Sequence, residues 1–164
     1  MGLGDPETTW EGGGKGAAGV VEIWRDQKTP VGLLHGSGAE IFGKAAEEPQ
    51  METTPFRPAN PYGCAKAFAT QLARVYRDSY GLFVCNGILY NHESPRRGEN
   101  FVTRKITRAV ARISRGLDRE LVLGSLESRR DWGHAREYVE AMWRMMQHET
   151  PDDYIVATGR THAV

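Results

Sequence analysis

The sequence is short of the features that mark membrane and secreted proteins. Only two cysteines, Cys64 and Cys85, occur in 164 residues, too few for a disulfide framework or, by themselves, a zinc site. No apolar run approaches the ~20 residues that cross a bilayer, and no charged head followed by an apolar core opens the chain. An excess of one charge is missing too: 21 Lys plus Arg balance 21 Asp plus Glu, for a formal net charge of zero. That excludes a whole-chain basic character and leaves only local patches. There is no internal repeat, and no aromatic platform or basic balance that would suit nucleic acid. What remains, 40% hydrophobic and 26% charged residues, fits a globular protein of one domain, or of one with a small annex, addressed by default to the cytoplasm.

Residues 1–16 carry six glycines and little apolar material, and read as a flexible leader before a body spanning 17–164. The run Gly12-Gly13-Gly14-Lys15-Gly16 lacks the hydroxyl residue, the spacing and the preceding strand of a phosphate loop. Val20, Val21, Ile23 and Trp24 suit a short helix or strand. Val31 to Leu34 reads as a buried strand ending near Gly36. Four prolines between Glu47 and Pro61 predict loop. Ala65, Phe68, Leu72, Val75 and Tyr76 recur at helical spacing, with Gly81 as terminator. Leu82 to Tyr90 reads as a buried strand, Phe101 to Arg115 as a helix stopped by Gly116, Glu120 to Leu123 as a strand, Ala135 to Gln147 as a helix and Tyr154 to Ala157 as a strand. Thr161 stands where a further helix cap is expected. The alternation predicts an α/β class: a partial Rossmann-like, doubly wound and mostly parallel sheet with flanking helices. A complete dinucleotide-binding domain opens with a strand, a G-x-G-x-x-G turn and a helix, and none is found here.

The chemistry concentrates in Tyr62-Gly63-Cys64-Ala65-Lys66. On a helix Tyr62 and Lys66 lie one turn apart on one face. A phenol with an ordinary pKa near 10 is a poor base at neutral pH; a neighbouring ammonium favours the phenolate and makes a usable base. The same spacing equally describes a tyrosine packed under a solvated lysine. His35, His134, His148 and His162 show no metal-ligand spacing, and no metal is expected. Met142, Met145 and Met146 read as core filler, and Cys64 as a small packed residue.

Several longer stretches carry a resemblance. Ala39-Glu40-Ile41-Phe42-Gly43, Glu52-Thr53-Thr54-Pro55-Phe56, Asn60-Pro61-Tyr62-Gly63-Cys64-Ala65-Lys66, the run Asn86 to Ile106 (NGILYNHESPRRGENFVTRKI), Arg130-Asp131-Trp132-Gly133-His134-Ala135 and Tyr138-Val139-Glu140-Ala141-Met142-Trp143 resemble the central part of the GDP-mannose 4,6-dehydratase family, extended short-chain dehydrogenases/reductases. The likeness covers about three quarters of the chain, without the family's glycine-rich cofactor turn and its C-terminal part. It implies a redox-neutral reaction in which NADP takes hydride from C4 of the GDP-mannose sugar, the C5 proton and the C6 hydroxyl are lost as water, and hydride returns to C6, giving GDP-4-keto-6-deoxymannose.

By this resemblance Tyr62 takes the C4 hydroxyl proton, Lys66 lowers the Tyr62 pKa and bonds the nicotinamide ribose, and Glu40 is the acid/base for C5 and C6. His92 and Arg97 fall at positions that contact NADP; Asn91 and Asn100 fall on the nucleotide-sugar side. Between Arg96 and Arg115 seven basic residues face one acid, Glu99, a local anion site in a neutral chain. Arg104, Lys105 and Arg130 are suited to clamp a diphosphate, whereas Arg108, Arg112 and Arg115 read equally as a solvated helix face. The family's threonine two residues before the glutamate is here Gly38, which has no hydroxyl, and Ser37 is one residue out of register and faces elsewhere on an extended strand.

Three functions follow as expectations. One is a nucleotide-sugar dehydratase of the kind just described, acting on GDP-mannose. Another is a non-catalytic partial homologue that binds nucleotide-sugar weakly, self-associates or docks onto a full-length relative. The third is a sugar epimerase of the same superfamily, which shares the Tyr/Lys pair without needing Glu40.

Overall fold

The computed structural model describes residues 5–27 and 31–164; Gly2 and Gly4 of the expected leader and Lys28 lie outside them. The chain divides into two compact units, one of residues 1–90 and 140–156, the other of residues 91–139 and 157–164.

The first unit contains the parallel sheet that the alternating pattern predicts. Its strands are β1 (Leu33–Gly38), β2 (Val84–Leu89) and β5 (Asp153–Val156), in the order β1-β2-β5. The register pairs Leu33 with Val84 through Gly38 with Leu89, and Asn86 with Asp153 through Leu89 with Val156. Strand β2 sits in the middle and is buried at all six positions, as a central parallel strand must be when both faces are covered.

The crossover from β1 to β2 is α3 (Pro61–Tyr80). Its start is written locally: Asn60 caps the first turn by accepting the Gly63 N–H at 2.8 Å, with Pro61 at the first helical position, where its missing donor and fixed φ do no harm. Its end is Gly81 at φ 63°, the left-handed cap that glycine adopts without a Cβ penalty. Ala65, Ala69, Ala73 and Tyr76 turn one face inward. At the carboxyl end of β1 a 3-10 turn (Ala39–Ile41) puts Ile41 and Phe42 into a cluster with Ile88, packed round by Phe56, Tyr90 and Ile155.

A polar network runs beneath this core. Asp153 receives Arg74, Arg77 (3.0 Å) and the Asn86 amide (2.7 Å). Asn86 also donates to the Thr70 carbonyl at 3.2 Å and accepts from His35 Nδ1 at 2.9 Å. The acceptor role of Asn86 Oδ1 makes Nδ1 the protonated nitrogen of a neutral His35.

The first unit also corrects the leader. Residues 6–25 form one helical run: α1 (Pro6–Trp10), a wider π-type stretch (Glu11–Lys15) and α2 (Gly16–Arg25). The glycines serve close packing. A Cβ on Gly13 would stand 3.3 Å from the Ala65 Cβ, and one on Gly14 would collide with the Trp10 ring. Trp10 meets Phe68 edge-on at 4.9 Å between centroids. Burial against α3 outweighs the poor helix propensity of the glycine run.

The second unit holds β3 (Asn91–Glu93), α4 (Val102–Ile113), β4 (Arg129–His134), the start of α5 (Ala135–Met145) and β6 (Thr161–Ala163). Strand β3 runs parallel to β4, and β6 antiparallel to it. Two expectations fail in this unit. Glu120 to Leu123 is not a strand; among the described residues it pairs with no strand, Val122 is 69% exposed, and its carbonyl is taken by Lys105. Thr161 begins β6 instead of capping a helix, and β4 had no signal because Arg129-Arg130-Asp131 lacks an apolar alternation. The helix expected from Ala135 is present, and Met145, read as core filler, is buried. Asp131 anchors the unit, accepting from the Thr158 N–H and hydroxyl (3.0 and 2.8 Å) and the Gly159 N–H (2.8 Å). No helix among the described residues is long and apolar enough to cross a membrane.

Candidate functional site

Glu40, Tyr62 and Lys66 all belong to the first unit. Glu40 lies in the 3-10 turn just past the carboxyl end of β1, where ligands collect in open α/β sheets. Its approach to α3 has two causes. A Cβ on Gly63 would stand 2.6 Å from the Glu40 carbonyl oxygen, so only glycine lets the turn come this close. Asn60 then donates its amide to Glu40 Oε2 at 2.9 Å while capping α3 with its oxygen. One side chain therefore fixes both the helix start and the carboxylate.

Tyr62 is half-buried in the first turn of α3, and Lys66 sits one turn on, its Nζ 5.8 Å from the Tyr62 ring centroid, within cation–π range. Lys66 Nζ donates to the Gly36 carbonyl at 2.7 Å and forms no ion pair among the described residues. Burial pushes its pKa below the ordinary lysine value, because desolvation penalises the charged form. Its turn of helix is stitched to β1: Thr70 Oγ1 donates to the Lys66 carbonyl at 2.8 Å, so the Ser37 hydroxyl must donate to Thr70 at 2.7 Å. Ser37 is thus turned inward, and Gly38 next to it presents no side chain. His35, on the same strand, is held neutral by burial, its bond to Asn86 pulling the other way and the Lys66 charge adding to the depression.

A groove of about 310 Å³ opens beside this wall, between the glycine-rich helical run (Gly12, Gly13, Gly16), β1 (Leu33, His35) and the Lys66 face of α3. Sequence reasoning missed the parts played by Asn60, Gly63, Thr70 and His35. An Asn-Pro step directly before a Tyr-Gly was the available signal for the first two. Cys64, expected to pack, is exposed, since it lies off the buried Gly63-Ala65-Ala69 stripe.

The remaining predicted residues belong to the second unit. Asn91 and His92 are consecutive in β3, with Asn91 opposite Trp132 and the His92 ring 4.9 Å from Tyr138. Arg97 pairs with Glu93 at 3.1 Å and lies over the Phe101 ring; Glu93 also accepts from Thr103 at 2.5 Å. Asn100 is exposed just before α4. Of the three clamp residues, Arg104 forms no ion pair among the described residues, Lys105 donates to the Val122 carbonyl at 2.7 Å, and Arg130 donates to the Arg129 carbonyl at 2.8 Å. Arg108 and Arg112 are spent on Glu99 and Asp118, in line with a solvated helix face. Among the described residues no cluster of His, Cys, Asp and Glu could hold a metal ion.

Known proteins match this chain closely. A family profile for GDP-mannose 4,6 dehydratase matches residues 2–164. The GDP-mannose 4,6 dehydratase of Drosophila melanogaster is 56% identical over 134 residues, 82% of this chain and 34% of that protein. The GDP-mannose 4,6 dehydratase 2 of Arabidopsis thaliana is 52% identical over 163 residues, 97% of this chain and 43% of that protein. The chain thus spans between a third and a half of the length of these relatives. Among solved structures, RMD from Pseudomonas aeruginosa complexed with NADPH superposes with a TM-score of 0.91 at 24% identity, over 99% of this chain and 56% of that one; at that identity the likeness concerns the fold.

Proposed function

Since the chain belongs to the GDP-mannose 4,6 dehydratase family, we propose that it carries the catalytic segment of a cytoplasmic NADP-dependent lyase converting GDP-mannose to GDP-4-keto-6-deoxymannose and water. The observation that carries this reading is the double tether of Glu40 to the start of α3 by Asn60 and Gly63, which keeps a carboxylate beside the helix turns that bear the phenol and the amine. Tyr62 accepts the C4 hydroxyl proton. Lys66 biases Tyr62 toward phenolate through its charge. Glu40 removes the C5 proton and delivers a proton to the departing C6 hydroxyl.

The donor set fits the cofactor: Lys66 spends one N–H on Gly36 and keeps two, which suit the hydroxyls of a nicotinamide ribose. NADP, when bound, supplies the acceptor and donor of hydride. In the second unit, the roles that the resemblance implies are NADP contact for His92 and Arg97 and GDP-sugar contact for Asn91, Asn100, Arg104, Lys105 and Arg130.

Gly38 marks the weak point of the site. A Cβ there would lie 3.7 Å from the Leu89 carbonyl, an ordinary contact, so the backbone leaves room for a Cβ. Gly38→Thr is expected to raise dehydration on the order of a hundredfold, the worth of one hydrogen bond made in the transition state. The test is saturable NADP binding followed by turnover of GDP-mannose in the wild type, Gly38→Thr and Glu40→Gln. Dehydration should vanish in Glu40→Gln, and carbohydrate turnover that survives there turns the reading to epimerisation.

A second reading rests on the span of the chain. With a third to a half of its relatives' length and β1 at an edge of its sheet, the protein would self-associate or dock onto a full-length relative, which edge strands favour. Absence of NADP binding together with co-sedimentation supports this one.

A further inference from the structure

We propose that α4 is an interfacial helix, laying its aliphatic face on an anionic bilayer surface without crossing it. This inference is independent of the dehydratase reading, because it needs neither NADP nor nucleotide-sugar. Three observations within the second unit meet on this helix. The first is its two-sidedness. At about 3.6 residues per turn, Val102, Ile106, Ala109, Val110 and Ile113 share about 100° of the circumference, and Arg104, Lys105, Arg108 and Arg112 share a similar arc on the other side. The second is that nothing covers the aliphatic side. An amphipathic helix ordinarily turns that face to a core, yet none of the twelve residues of α4 is buried, and Val110 stays 58% exposed. Exposed aliphatic side chains continue at Leu117 and Val122. Their segment is held beside α4 by the Arg112–Asp118 pair and by Lys105, which donates to the Val122 carbonyl at 2.7 Å.

The third observation is charge, and it selects the occupant. Residues 91–139 and 157–164 carry twelve Lys and Arg against seven Asp and Glu, a net +5 in a chain whose total is zero. Arg108 and Arg112 are paired with Glu99 and Asp118, whereas Arg115 and Arg119, just past the helix end, form no ion pair among the described residues. A second copy seated on the same face would bring two like-charged units together. Anionic headgroups instead attract the cations, and the acyl boundary takes up the aliphatic side chains. Long basic side chains bordering that face can reach the headgroups while their stems stay with the apolar layer.

The experiment floats the full chain with unilamellar vesicles of phosphatidylcholine, alone or mixed with phosphatidylserine. The protein should rise with the mixed vesicles and not with phosphatidylcholine alone, and the bound fraction should fall as salt is added. Arg115→Gln removes one unpaired cation and should weaken partitioning about fivefold. Val110→Ser combined with Ile113→Ser is nearly neutral in helix propensity and should weaken it on the order of tenfold. Val75→Ser removes an exposed aliphatic side chain from α3 in the first unit and should leave partitioning unchanged. Failure to float with the mixed vesicles, equal flotation with both kinds, or flotation indifferent to the paired serine exchange overturns the proposal. So does a wild-type dimer that the paired exchange dissolves without any flotation, which gives the face to a second copy. Capture by soluble polyglutamate in place of the vesicles overturns it as well, and gives the face to an acidic protein.

Discussion

The two sheets of this protein are built to different rules. In the first unit β2 is buried along its whole length, and its polar groups are absorbed by a network centred on Asp153. In the second, β4 and β6 are mostly exposed, and a single carboxylate, Asp131, organises the turn at Thr158 and Gly159. The contrast shows where each unit draws its definition. The first takes it from apolar burial with charges paired inside; the second takes it from hydrogen bonds to backbone near the surface. The proposed reacting groups stand on the first kind of scaffold, where packing holds positions tightly.

The comparison predicts a ranking of damage. Asp153→Ala leaves Arg74 and Arg77 without their shared, nearly buried partner, and should cost about 3–5 kcal/mol in urea unfolding. Asp131→Ala removes acceptors from two N–H groups and a hydroxyl, and should cost about 1–3 kcal/mol; an equal or larger loss there would erase the distinction. Gly63→Ala forces the Glu40 turn away from α3, at about 1–3 kcal/mol for an overpacked contact, and should be read by loss of the Asn60–Glu40 bond in a crystal structure of the variant. The next effect is a pH dependence. The folded His35 pKa lies below the ordinary value of 6.5, so between the two values the unfolded chain binds more protons. Stability therefore rises with pH through that window and falls as the solution is acidified below 6.5; His35→Gln should flatten this limb of a thermal-melt series. The smallest change is Val122→Thr, which should stay within about 0.5 kcal/mol, since residues 120–123 are exposed coil and not a buried strand.

The parts legible in the sequence were those with dense local signals. Helix α3 announced itself by apolar residues at helical spacing and by Gly81, although Phe68 and Val75 of the expected stripe are exposed and Ala69 and Ala73 turn inward with Ala65 and Tyr76; β2 announced itself by a run apolar almost throughout. The Tyr62–Lys66 relation needed only helical spacing. The misread parts shared a different cause. Trp10 to Gly16 looked like linker because glycine composition is permissive, and its helical form depends on contact with Ala65 and Phe68 some fifty residues away. Strand β4 opens on three charged residues and β6 is only three residues long, so their pairing leaves no period to count. Glu120 to Leu123 had the composition of a strand and, among the described residues, no strand to pair with.

Chain-local physics was therefore enough to determine the α/β class and the helix that aligns a phenol with an amine, while the family showed itself only through the resemblance of its motifs. Whether Glu40 joins that helix was decided in three dimensions, by a side-chain amide reaching across twenty residues and by the missing Cβ of Gly63. Periodicity records which face of an element is wet or dry; the distance between two elements is set by the atoms that meet where they pack.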